Sequence, residues 1–224
     1  MSDTNHKSGP QGRPVASGGE VRRENILESA LNLFANQGIA ATTIARIAED
    51  AGVTSAMVHY YFSNREGLLD AIASERLGPA IRYIWEGVSD DNLADPRRMV
   101  TVFVDRLLET VERMPQIPFL WSREVLNAGG LLRERIMAFV PMERFAVLHE
   151  ILGKAQQEGT LHPQIDPALL LTSIMAVVML PLAARDTLNM IPAMPSLNRE
   201  TIRRHALALL LDGLCPNKRQ EERR

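Results

Sequence analysis

Hydrophobic residues along this chain recur mainly at the three- and four-residue spacing of amphipathic helices. The first such stripe predicts a helix over 21–36 that ends before Gly38. A shorter stripe predicts a second helix that begins after Thr42 or Thr43. Gly52 ends it, because glycine readily adopts the positive φ of a helix C-terminus. The N-terminal part of the chain is therefore expected to fold as short helices joined by tight turns.

A third short helix is predicted over 55–61, directly after this turn. Thr54 or Ser55 can cap it by accepting a hydrogen bond from a free backbone N–H. One side of this helix is too polar and aromatic to belong entirely to a core. Two helices joined by a short turn, with the second facing outward, form the helix-turn-helix geometry that reads a DNA major groove. Asn64 then caps a fourth helix, which is predicted to continue to Trp85 and to connect this unit with the rest of the protein.

The stretch 42–69 carries the most specific motif of the chain. Its characteristic positions, in fixed register, are Thr42, Thr43, Ile47, Ala48, Ala51, Gly52, Val53, Thr54, Val58, Tyr61, Phe62, Asn64, Arg65, Glu66 and Leu68. This pattern resembles the DNA-binding domain of the tetracycline-repressor (TetR) family, and 24–38 is similar to that family's first helix. The resemblance implies an all-α protein with an N-terminal three-helix DNA-binding domain and a C-terminal helical ligand-binding and dimerisation domain.

The resemblance also implies which residues contact DNA. Those whose family counterparts face bases are Ser55, Ala56 and His59. Those whose counterparts follow the DNA backbone are Thr43, Met57, Tyr60, Tyr61 and Arg65. Their chemistry suits these roles, because an imidazole can donate or accept at a base edge and a tyrosine hydroxyl can donate to a phosphate. For Tyr61, packing within the small domain is the alternative role.

Three positions depart from the usual family pattern. The family often has tyrosine at position 59, glycine at position 56 and a long polar residue at position 45, where this chain has His59, Ala56 and Ala45. The operator sequence therefore does not carry over. Bulk charge gives DNA binding no support either, because the net charge is −2 and residues 1–65 hold equal numbers of basic and acidic side chains. A few well-placed residues must supply the affinity.

The remaining pattern predicts a larger helical domain. Its helices are expected at 96–113, 118–126, 131–158 with a bend at Pro141, 167–187, and 198–214. The expected divisions of the chain are a disordered tail (1–19), a helix-turn-helix domain (20–66), an effector-binding and dimerisation domain (67–215) and a charged tail (216–224). The apolar run 167–184 contains Thr172, Ser173 and Pro181, and we interpret it as a helix buried on nearly all sides rather than a membrane span.

An apolar ligand pocket is expected between the helices of the C-terminal domain, where plain core packing is the alternative. Its candidate lining residues are Phe103, Phe119, Trp121, Met137, Phe139 and Met175, with Arg123 or Glu124 as the polar contact. Dimerisation is predicted through the last two long helices, as a four-helix bundle about a two-fold axis. The candidate interface residues are Leu171, Met175, Val178, Ile202, Ala206, Leu209, Leu210 and Gly213.

The sequence contains no complete enzyme motif. His149 and Glu150 begin like a zinc-protease motif, but Gly153 stands where the second histidine is needed. No metal or cofactor is expected. The single cysteine, Cys215, excludes an internal disulfide and suits a reducing cytoplasm, and the polar N-terminus resembles neither a secretory signal nor an anchor.

These features favour a cytoplasmic homodimeric transcription regulator that binds double-stranded operator DNA. We expect a repressor that an unidentified small molecule releases, with the fourth helix as the lever between the two domains. Two alternatives stay open at this point. One is an architectural or division-control DNA-binding protein on the same fold without an effector. The other is a small-molecule-binding protein or enzyme without a DNA role.

Overall fold

The computed structural model describes residues 18–88, 95–192 and 197–214, and every regular element within these ranges is a helix. This confirms the all-α prediction. Several features discussed above lie wholly or largely outside the described residues: the tail 1–19, Cys215 and the tail 216–224.

The described helices are numbered here in chain order. They are α1 (Gly18–Gln37), α2 (Ile44–Asp50), α3 (Ser55–Phe62), α4 (Arg65–Ile72), α5 (Gly78–Trp85), α6 (Pro96–Arg113), α7 (Ile117–Leu120), α8 (Arg133–Met137), α9 (Glu143–Gln157), α10 (Pro167–Ala183), α11 (Arg185–Asn189) and α12 (Arg199–Leu214). A π-helical segment, Ala73–Leu77, joins α4 to α5 into one continuous rod, and a second one, Trp121–Val125, extends α7.

Side-chain caps begin the helices of the N-terminal domain where the sequence predicts them. Thr43 accepts a hydrogen bond from Arg46 N at 3.2 Å at the start of α2, and Asn64 accepts one from Gly67 N at 2.9 Å at the start of α4. Thr54 caps α3 in the same way. Gly52 has φ +67°, the left-handed conformation expected at the turn before α3. The helix-turn-helix geometry is therefore confirmed.

The core of this N-terminal domain extends beyond the predicted boundary at residue 66. Leu68, Leu69 and Ile72 of α4 are buried in the same cluster as Phe34 of α1, and Leu120 of α7 joins them. The core of the helix-turn-helix domain therefore includes residues of α4 beyond position 66, and the predicted domain boundary itself stays a prediction. The rod α4–α5 belongs to both domains.

The C-terminal domain departs from prediction at two helices. The predicted helix 131–158 is two helices, α8 and α9, separated by residues 138–142. Pro141 lies in this break, where a proline lacks the N–H that a continuous helix would use. The predicted helix 167–187 ends at Ala183, and the short α11 follows. The start of α10 is as expected, because Asp166 accepts a hydrogen bond from Ala168 N at 2.9 Å.

Helix α10 is not buried on nearly all sides within one chain, and that expectation is wrong. Leu170, Ile174 and Val178 lie in the core, but Leu169 and Leu180 are 59% and 62% exposed. The exposed residues repeat at helical spacing, so α10 has one inner and one outer face. Within the described ranges, no helix is long and apolar enough to cross a membrane.

Candidate DNA-reading surface and ligand cavity

Helix α3 has a buried face and a solvent face. Val58 and Phe62 are anchored in the core, whereas Ala56 and His59 are exposed and Tyr60 is 82% exposed. Ser55, Met57 and Tyr61, which the resemblance also implies as DNA contacts, are partly buried. The solvent face therefore presents a methyl group, an imidazole and a phenol side by side, a surface that can contact base edges and phosphates.

Tyr61 packs against the core of the small domain, beside Phe62. The two ring centroids are 6.3 Å apart, and the Tyr60 ring meets Tyr61 edge to face at 5.2 Å. Tyr61 therefore has the packing role that the sequence left as the alternative. Thr43 is exposed, but its hydroxyl is already used as the cap of α2.

The backbone fixes α3 against α4 through an unusual turn. Ser63 has φ 62° and ψ −55°, and Asn64 N donates to Phe62 O at 2.6 Å, which is the pattern of a classic γ-turn. Gly67 lies against the same carbonyl group, so closely that a Cβ there would overlap the Phe62 oxygen. His59 Nδ1 lies 3.1 Å from Ser63 O. The absence of a side chain at position 67 thus permits the observed placement of α3.

Arg65, which the resemblance implies as a phosphate contact, forms hydrogen bonds within the protein. Its guanidinium donates to the backbone oxygen of Thr42 at 2.8 Å and to that of Ile39. These bonds tie the turn before α2 to the start of α4. The Arg65 side chain therefore positions α2 relative to α4, and its contact with a phosphate stays a prediction.

Most other arginines of this domain are also paired within the protein. Arg23 forms two hydrogen bonds with Glu75, one of them at 2.5 Å, and this contact holds the pKa of the Glu75 carboxyl below its usual value. Arg76 pairs with Glu24. Arg46 is exposed on α2 and lies 2.8 Å from Glu49, a surface pair that costs only about 0–1 kcal/mol to break. Sequence reasoning did not single out Arg46, although its exposed position on α2 follows from the helix period.

A cavity of about 320 Å³ that opens to solvent lies in the C-terminal domain and is lined by residues of helices α5 to α10 and of the π-helical segments. Four of the predicted lining residues do line it: Phe103, Trp121, Met137 and Met175. The rod contributes Ile81, Ile84 and Trp85. A volume near the lower end of the usual range for drug-sized ligand sites makes this cavity a candidate effector site.

Four other predicted pocket residues lie outside the lining, and two of them face the DNA-binding domain. Phe119 packs against that domain's core, and Arg123 donates to the Asn36 oxygen at 3.1 Å. Phe119 was predicted as an aromatic lining residue and Arg123 as the polar contact, but α7 and the π-helical segment after it have two faces with different neighbours. Trp121 on one face borders the cavity, while Phe119 on the other contacts the DNA-binding domain.

The remaining two predicted pocket residues, Glu124 and Phe139, make contacts within the protein instead of lining the cavity. Glu124 is buried, and its Oε2 accepts a hydrogen bond from Leu131 N at 2.8 Å, so it holds the loop before α8. The ring of Phe139 packs on Gly78, where a Cβ would approach it to 2.9 Å. Neither side chain offers the polar or aromatic contact to a ligand that the sequence predicts.

Polar contacts connect the cavity walls to the DNA-binding domain. Arg135 on α8 lies 2.6 Å from Glu66 and 2.5 Å from Asp70, both on α4, and its pKa is raised mainly by the hydrogen bond to Asp70. Gln116, just before α7, donates to Asn32 Oδ1 on α1 at 2.6 Å. Helices α7 and α8 therefore contact both the cavity and the domain that carries α3.

Most predicted dimer-interface residues belong to the chain's own core. Those that are buried within one chain are Leu171, Val178, Ile202, Ala206 and Leu210. They pack α10 and α12 onto each other and onto α6, and their part in a dimer interface stays a prediction. Of the other three predicted interface residues, Met175 lines the cavity and Leu209 is 54% exposed. The burial of Gly213 lies outside what the structure describes.

An outward recognition helix on a small helical domain, joined to a larger helical domain, defines a helix-turn-helix DNA-binding protein. The family model for "Bacterial regulatory proteins, tetR family" matches residues 26–72. Residues 26–72 therefore form a DNA-binding domain of the TetR type, and the chain is similar to transcriptional regulators of that family. It is a DNA-binding transcriptional regulator.

Similar proteins agree with this assignment. The repressor KstR2 of Rhodococcus jostii is 25% identical over 214 residues, 89% of this chain and 94% of that protein. The probable acrEF/envCD operon repressor of Escherichia coli K12 is 25% identical over 153 residues, 64% of this chain and 66% of that protein. The solved structure of the ketosteroid transcriptional regulator KstR2 of Mycobacterium tuberculosis has a TM-score of 0.68 at 22% identity, over 88% of this chain and 96% of that one, and shows the same fold.

Proposed function

We propose that this protein is a homodimeric repressor that binds operator DNA through α3 and is released when a small molecule occupies the cavity. The main support for this proposal is that α7 and α8 border the cavity and also contact the DNA-binding domain, which presents α3. The cavity also argues against the alternative of an architectural protein without an effector, which would have a filled core.

In this proposal, His59 and Ala56 face base edges, and Ser55 contributes a weaker polar contact. His59 is the principal reader, because its ring is exposed and can donate or accept a hydrogen bond. Tyr60 donates its hydroxyl to a phosphate, and Arg46 supplies a cation after releasing Glu49. Thr43 and Met57 lie beside the DNA backbone, as the family pattern implies.

The dimer in this proposal forms through the outer faces of α10 and α12. Leu169, Ser173, Ala176 and Leu180 form one exposed stripe on α10, and Leu209 is exposed on the adjacent α12. Small residues between the leucines allow two helices to approach closely, so two helices from each subunit can build a four-helix bundle. The two-fold symmetry would set the two α3 helices about 34–36 Å apart, the distance between successive major grooves.

Release requires that the ligand bind better to a different spacing of the two α3 helices. The rod α4–α5 lines the cavity at Ile84, and its Leu68 lies in the core of the DNA-binding domain. Arg135 attaches α8 to the start of this rod. A ligand that moves α8 or α5 therefore changes the position of α4 and weakens operator binding. By linkage, the bound operator weakens ligand binding by the same factor.

Selection of DNA sites from a random pool by the full-length protein tests the DNA part of this proposal. We expect a two-fold symmetric site whose half-sites are centred one helical turn, about 10–10.5 base pairs, or a multiple of it, apart. Failure to enrich any sequence above the starting pool would overturn it. The described lining of the cavity has no titratable side chain, which supports a binding rather than an enzymatic role.

A further inference from the structure

We propose that the ligand of the cavity is an uncharged, largely hydrocarbon molecule with one or two hydrogen-bonding groups. The inference deepens the proposed function, on which it rests for taking the cavity as the effector site. It concerns the chemistry of the ligand rather than its effect on DNA.

The lining of the cavity contains no charged side chain among the described residues. Aliphatic, methionine and aromatic side chains form its walls, and the polar atoms of the lining side chains belong to Thr172, Trp85 and Trp121. The nearby ionic groups are engaged elsewhere: Glu124 with the backbone of the loop before α8, and Arg123 with α1. A charged group drawn inside would lose its hydration without gaining a partner.

The few polar groups of the wall favour a hydroxyl or carbonyl on the ligand. Within the described part of the chain, neither indole N–H of Trp85 and Trp121 has a hydrogen-bond partner. An indole N–H only donates, whereas the hydroxyl of Thr172 can donate or accept. An alcohol or a ketone therefore fits the wall, while a ligand with several polar groups would leave most of them unpaired.

The rim of the cavity is also apolar. Leu126, Met137 and Phe145 line the cavity and are exposed to solvent at the same time. Exposed apolar side chains around a concave site are typical of an entrance for a hydrophobic ligand. The rim thus offers a charged head group no partner among these side chains.

Titration of the full-length protein with three probes of equal chain length tests the inference: 1-decanol, decanoate and decylammonium. The two tryptophans of the chain, Trp85 and Trp121, both line the cavity, so intrinsic fluorescence reports occupancy directly. Calorimetry gives the stoichiometry. We expect one decanol per chain, bound about tenfold or more tightly than either ion. Equal or tighter binding of an ion, or no binding of decanol up to its solubility, would overturn the inference.

A variant of the wall sharpens the assignment. Thr172 lies on an exposed part of the lining, so Thr172→Lys brings an ammonium to the cavity at an accessible position. We expect it to reverse the order, with decanoate bound more tightly than decanol, whereas the isosteric Thr172→Val keeps the preference for decanol. Circular dichroism verifies the fold of each variant. An unchanged order in folded Thr172→Lys would place the probe elsewhere and overturn the assignment.

No DNA is present in these titrations, so their outcome is independent of the proposed function. Tight binding of decanol without any effect on operator affinity would support the ligand class and refute the effector role. Loss of the decanol preference with intact operator binding would refute the ligand class and leave the DNA-binding part of the proposed function standing.

Discussion

Replacement of Gly67 by alanine should dislodge the recognition helix from its position on α4. An added Cβ would overlap the Phe62 carbonyl oxygen and lie 3.3 Å from the carbonyl carbon, both of them backbone atoms that cannot rotate away. The same carbonyl group accepts the hydrogen bond of the γ-turn at Ser63. The added carbon must therefore displace the end of α3 or open the turn.

The expected cost follows from these contacts. Overpacking of a well-packed site costs about 1–3 kcal/mol, and further strain of a sparsely populated backbone conformation costs about 1–3 kcal/mol more. Alanine regains about 0.5–1 kcal/mol through its helix propensity, because Gly67 lies in the first turn of α4. We expect a net loss of about 2–4 kcal/mol in the free energy of unfolding, and weaker operator binding even at temperatures where the variant is folded.

Urea unfolding followed by circular dichroism measures the loss of stability, and fluorescence anisotropy with a selected operator measures binding. Gly153→Ala is the matched control, since Gly153 lies within α9 and a Cβ there meets nothing within 4 Å. That variant should gain about 0.5–1 kcal/mol and bind DNA normally. A Gly67→Ala protein as stable as Gly153→Ala, with unchanged affinity, would refute the argument that the close approach at position 67 places α3.

Four further substitutions give separate tests. Arg65→Ala should lower stability without reducing the salt dependence of DNA binding, because its guanidinium bonds to backbone oxygens; a salt slope lower by about one in anisotropy titrations would restore the phosphate role. His59→Ala should cost about 1–3 kcal/mol on the operator and relax one base preference per half-site, whereas an unchanged preference in site selection would show that His59 reads no base. Leu180→Glu should yield a folded monomer in sedimentation, while Leu210→Glu should unfold the chain, since Leu210 is in the core; a dimeric Leu180→Glu protein would place the interface elsewhere.

The ends of the helices were predictable because caps are local. Thr54, Asn64 and Asp166 each accept a hydrogen bond from a backbone N–H two or three residues ahead, and the three helices begin where their sequences predict. Gly52 likewise takes the positive φ that its position demands. Such interactions need only a few consecutive residues, which the sequence contains in full.

The role of Arg65 was not predictable, because its partners are distant in sequence. Its guanidinium reaches the backbone oxygens of Thr42 and Ile39, and no local pattern indicates that they lie within range. The same limit applies to the two sides of an apolar helix. Leu180 and Val178 have similar hydropathy, yet Val178 is buried and Leu180 is exposed. Periodicity identifies the faces of a helix, but tertiary packing decides which apolar face turns inward.

Operator affinity measured with and without 1-decanol tests the coupling of cavity and DNA surface most directly. Anisotropy of a labelled operator would be recorded with the full-length protein at decanol concentrations that saturate the tryptophan signal. The proposed mechanism predicts a loss of affinity of about 5- to 150-fold, with decanol binding weakened by the same factor when the operator is present. An operator affinity that stays unchanged while the cavity is full would contradict it.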